Sequence, residues 1–85
     1  MESTPFLAKI DNIDIILTIS QDTISAKTKE DSSVFNISMI DLVFCNAQSN
    51  KVILNWNTGN TISSAAISSR HVRDIVKEIK QKIHG

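Results

Sequence analysis

Between Phe6 and Ala66, apolar residues recur at every second position, in stretches separated by only a few polar residues. Such alternation puts every second side chain on one face of an extended chain, so each stretch predicts a half-buried strand. A parallel pair of strands needs a crossover of a dozen residues or more, and no connection here is that long. The spacing therefore predicts an antiparallel meander of about seven short strands.

The faces can be read residue by residue. FLAKI places Phe6, Ala8 and Ile10 on one side, and Asp11-Asn12 is a predicted hairpin turn. The next stretch aligns Ile13, Ile15, Leu17 and Ile19, with Ile16 as the exception. Ile24, Ala26 and Thr28 line a third strand, and Phe35 and Ile37 point inward from a fourth. A fifth strand is expected from Leu42 to Ala47, followed by a turn at Gln48-Ser49-Asn50. Val52, Leu54 and Trp56 alternate next; Gly59 then supplies the positive φ of a tight hairpin, and TISSAA completes the set. Ile16, Val34, Val43 and Ile53 fall out of phase with the core alternation; gathered in one exposed patch, they would dock a partner.

The last eighteen residues change period. Val72, Ile75, Val76, Ile79 and Ile83 form one stripe at helical spacing, Ser68 or Ser69 can cap its start, and Gly85 suits its end. A helix over about 69–84 is expected. All five stripe residues are β-branched, which disfavours an isolated helix, so packing must stabilise this one. The expected fold is mostly β with one C-terminal α-helix: a curved antiparallel sheet or barrel capped by an amphipathic helix.

Eighty-five residues make one domain, 1–85, whose core nearly every element must share. Nine basic residues balance nine acidic ones, so nothing global points to nucleic acid or acidic lipid. The opening MESTPFLAKI has neither a basic n-region nor an apolar h-region, so no signal peptide is expected, and no apolar run is long enough to span a bilayer. The single cysteine, Cys45, rules out an intrachain disulfide and reads as a small core residue in a reducing, cytoplasmic setting. His71 and His84 lie thirteen residues apart on the helix, about 20 Å of rise, too far to share a metal. His71 is expected at the surface. No metalloprotease, nucleophile-elbow, phosphate-loop or paired-cysteine motif occurs. The expectation is a non-enzyme without cofactor or metal.

The run FNISMIDLVFCNAQSNKVILNWNTGNTISSAAISSRHVRDIVKEIKQKI resembles the second half of pleckstrin-homology-like domains. The carrying features are Ile37-Ser38, the acidic-apolar step Asp41-Leu42, the strand Val52 to Trp56, and the capped helix. This superfold includes PH domains, phosphotyrosine-binding domains, the third lobe of FERM modules and GLUE-type relatives. The short chain departs from it in leaving no room for the extra helix of phosphotyrosine-binding domains, and its closing helix lacks Trp.

The resemblance implies two kinds of binding. Peptide-binding members add an extended segment to the fifth strand beside the closing helix, which here implies Leu42, Val43, Phe44, Ile75, Ile79 and Ile83. The bland alternative is that most of these fill the core. Lipid-binding members grip inositol phosphates with basic residues on the first two strands; the matching AKIDNIDI offers Lys9 among Asp11 and Asp14, a poor anion site. A basic ridge of Arg70, Arg73, Lys77 and Lys80 flanks the helix stripe, either as an ordinary solvated face or as a contact for an acidic partner or membrane. Trp56 reads as core, which leaves nucleic acid no stacking platform. The function expected is an adaptor or scaffold module binding a peptide or partner subunit, with weak phosphoinositide or acidic-membrane association as the alternative.

Overall fold

The computed structural model of the chain describes residues 4–84. Its strands are β1 (Thr4–Ile10), β2 (Ile13–Ile19), β3 (Thr23–Thr28), β4 (Ser33–Ser38), β5 (Leu42–Gln48), β6 (Lys51–Thr58) and β7 (Thr61–Ser68). A 3₁₀ turn, Met39–Asp41, links β4 to β5, and the helix α1 runs Val72–His84. All strand pairs are antiparallel, in the order β4-β3-β2-β1-β7-β6-β5. The sheet curves but stays open, with β4 and β5 as its two edges.

Turn chemistry sets the register. Asp11 (φ 52°) and Asn12 (φ 68°) both take positive φ between the paired Ile10 and Ile13, as a type I′ hairpin requires. Asp and Asn tolerate this region because their short polar side chains bond locally. Gly59 and Ser49 take positive φ at the first central position of their turns only, the sign pattern of type II′.

The alternation read from the sequence fills the core. Ile15, Leu17, Ile19, Ile24, Ala26, Ile37, Val52, Leu54 and Ile67 are buried from the strands, and Val72, Ile75, Val76 and Ile79 from the helix. Burying each such side chain is worth about 1.5–3 kcal/mol, so the four helix residues hold α1 in place despite their poor intrinsic propensity. Ile83, the last of the stripe, is 48% exposed. Ile13 is exposed beside its turn.

Ser69 caps the helix: its Oγ accepts from the His71 amide (3.0 Å) and donates to the Leu7 carbonyl (2.9 Å). One hydroxyl thus fixes the helix start and ties it to β1. His71 is half-buried, its ring 6.2 Å from that of Phe6, rather than free at the surface. Among the described residues Lys9 and Ser68 are the one pair in register between β1 and β7, so the sheet is thinly joined there.

The out-of-phase residues have a local cause. The registers skip from Ala26–Phe35 to Lys27–Ser33 and from Leu42–Trp56 to Phe44–Asn55, so Val34 and Val43 are bulge residues turned outward. Ile16 sits opposite Leu7 on the outer face, and Ile53 opposite Ala66. These four residues lie on β4, β5, β2 and β6, of which only β5 and β6 are neighbours, so they do not gather along the sheet into one patch.

Candidate functional site

The site is built from an edge and a helix. The two-residue turn Ser49-Asn50 makes Gln48–Lys51 a hydrogen-bonded pair, so Asn46–Ile53 and Phe44–Asn55 are hydrogen-bonded too. Cys45 and Ala47 then direct their N–H and C=O groups away from β6. Among the described residues no strand pairs with that side of β5. Each of these positions is a backbone donor and acceptor without a backbone partner, the template on which another chain can add a strand.

Helix α1 packs on β5 and β6 and leaves an open groove of about 590 Å³ along this edge. Asn46 and Ala47 form its strand side; Arg73, Val76, Lys77 and Lys80 form its helix side, with Gln81 at one end. Ala47 is small where Val or Ile would fill the space, and buried Val76 provides an apolar floor. Among the described residues no carboxylate lines the groove. Lys9, Lys27, Lys29 and Lys82 form ion pairs, whereas among the described residues Arg73, Lys77 and Lys80 form none.

The opposite flank of α1 is closed. Thr4 Oγ1 donates to Glu78 Oε2 (3.0 Å), and Lys82 Nζ lies 3.7 Å from the same oxygen. Both charged side chains there are largely covered.

Cys45 is half-buried and points to the α1 side of β5, since it pairs with core Leu54. Burial pushes its thiol up from 9.0 to about 11, while the Lys80 ammonium pulls the other way. The thiol is protonated at neutral pH, and a protonated thiol is a poor nucleophile.

The residues expected in the groove divide three ways. Ile75 and Ile79 are wholly buried and offer no surface to a partner; of the stripe it is Val76, at its margin, that borders the groove. Leu42 faces inward opposite Trp56, and Phe44 lies on the outer face, away from Cys45 and Ala47. Val43 at the bulge and Ile83 near the helix end remain exposed. Of the basic ridge, Arg73, Lys77 and Lys80 line the groove, while Arg70 precedes the helix and lies beside Leu7, Lys9, Asp14 and Ser69. Asn46 and Ala47 fall within the expected strand Leu42 to Ala47, whereas Val76 is a contact the sequence does not single out. The available signal was Ala47, a small residue at an inward strand position just before a turn.

Two cations near the first hairpin share one carboxylate. Lys9 and Lys29 lie 3.8 and 3.7 Å from the carboxylate of Asp14. Among the described residues no group of three His, Cys, Asp or Glu side chains is placed to hold a metal ion, and no helix is long and apolar enough to cross a membrane. No protein-family model matches the chain, and no curated protein sequence matches it.

Proposed function

We propose that this protein is a non-catalytic interaction module that binds an extended protein segment by adding it as a strand to β5, in the groove beside α1. The observation that carries this reading is the coincidence of an unpaired strand edge with an open groove on its α1 side. Unsatisfied backbone groups supply affinity that depends little on sequence, and the groove supplies selectivity. The strand order and the single C-terminal helix are compatible with the pleckstrin-homology-like layout, in which this position serves the same purpose. The protonated Cys45 thiol, and a groove that among the described residues has neither carboxylate nor imidazole, favour a binding role over a catalytic one. A free thiol is also in keeping with a cytoplasmic setting.

The test is a short peptide selected from a random library and titrated into isotope-labelled protein. Strand addition moves the amides of Cys45 and Ala47 more than those of Phe44 and Asn46, which already bond to β6. Shifts confined to the Lys9–Asp14 hairpin would remove the reading. Weak association with anionic membranes is the second reading, supported by the unpaired cations of α1; co-sedimentation with phosphatidylserine vesicles that is lost on reversing those charges would favour it.

A further inference from the structure

We infer that the groove selects segments carrying carboxylates at alternate positions. This rests on the strand-addition reading and specifies its occupant: an extended, acidic protein segment. Residues of an added strand that pair with Cys45 and Ala47 share their face of the sheet, the face α1 covers. Alternate side chains of the segment therefore meet the helix flank.

That flank carries Arg73, Lys77 and Lys80, exposed and without acidic partners among the described residues. Along the helix, Arg73 and Lys77 are about 6 Å apart, from a rise of about 1.5 Å per residue. Along a strand, side chains two residues apart are separated by about 6.7 Å. For a segment lying along α1, the two repeats match closely enough for one carboxylate to face each cation. Lys80 stands about 10.5 Å from Arg73 along the axis, within reach of a third carboxylate because its side chain is long and flexible. Consecutive carboxylates do less, since every second one points away from α1.

Charge also decides against other occupants. Two copies of the protein joined edge to edge through β5 would bring both sets of cations together, with no carboxylate of the described groove between them. A lipid surface offers no backbone to the free N–H and C=O groups of Cys45 and Ala47. An acidic segment satisfies both the edge and the cations.

Three short synthetic peptides test this: one alternating Glu and Thr, its Gln–Thr analogue, and a peptide of the first one's composition with all Glu in one block. The alternating Glu peptide is expected to bind tightest, with the Cys45 and Ala47 amides shifting. The Gln analogue loses about tenfold in affinity, the combined effect of three exposed ion pairs. The block peptide falls between them. The R73E/K77E variant, altered only at exposed positions, inverts the preference, and added salt weakens the Glu peptide but not the Gln analogue. Equal binding of Glu and Gln peptides with β5 shifts intact would overturn the acidic preference and leave strand addition standing. Equal binding of alternating and block peptides would overturn the register. If no peptide moves β5 while phosphatidylserine vesicles bind the protein, both inferences fall.

Discussion

The two flanks of α1 have opposite characters. On the β1 side, Glu78 accepts from Thr4 and pairs with Lys82, and the charged side chains are mostly covered. On the β5 side, among the described residues, Arg73, Lys77 and Lys80 stand without acidic partners next to backbone groups that have no strand partner. One flank has satisfied its interactions within the molecule; among the described residues the other has not. The helix is thus a structural lid and a candidate binding wall at once, and variants on its faces should separate the two roles.

The core face sets the scale. Ile79→Ala should destabilise by about 2–5 kcal/mol, a large part of the roughly 4–13 kcal/mol available to a domain of this size. Ile83→Ala should stay within about 1 kcal/mol, because Ile83 is half exposed. Urea unfolding of both variants measures the contrast; equal losses would mean the helix end is packed more tightly than its exposure indicates.

On the closed flank, Glu78→Ala removes the acceptor of Thr4 and the partner of Lys82, and should cost about 1 kcal/mol. A null effect in the same assay would erase the distinction between the flanks.

Cys45 gives a pH-dependent readout from the open side. Its folded pKa lies above its unfolded value, so the unfolded state releases the proton first. The contribution is fully present below pH 9.0 and is lost as pH rises toward about 11. Cys45→Ala should flatten this part of the stability profile relative to the parent.

The smallest effect belongs to the open flank itself. Lys77→Glu relieves repulsion with Arg73 and Lys80 and should stabilise by about 0.2–0.5 kcal/mol while weakening acidic-peptide binding. A thermal melt and a binding titration on the same sample check both signs. Stability gained as binding is lost is the pattern expected of residues kept for a partner.

Much of the fold was legible in the sequence because its two hydrophobic periods are well separated. Ile15, Leu17, Ile19, Val52 and Leu54 keep period two despite the out-of-phase Ile16 and Ile53, and the helix stripe is continuous. The hairpin turn at Asp11-Asn12 also follows from residue type, and residue type narrows the cap to Ser68 or Ser69. Bulges did not: Val34 and Val43 read only as phase errors, since a bulge depends on where the partner strand begins pairing. The site was half legible. The fifth strand, Arg73, Lys77 and Lys80 were identified, but as two separate features, because only the tertiary placement of α1 sets the cations against the β5 edge. Ile75 and Ile79 were assigned to the groove because a helical stripe reveals which residues share a face, not which of them is central and which lies at its margin.

The single registered pair between β1 and β7, Lys9 with Ser68, makes the sheet a book with a thin spine. β1 to β4 form one leaf and β5 to β7 the other. The Ser69 bond to Leu7 and the Thr4 bond to Glu78 act as two stitches across it, because both join β1 to the segment that follows β7. Amide exchange should accordingly be quicker at Leu7 and Lys9 than in the doubly flanked β6, and the leaf carrying the groove can flex about that spine without breaking its own hydrogen bonds.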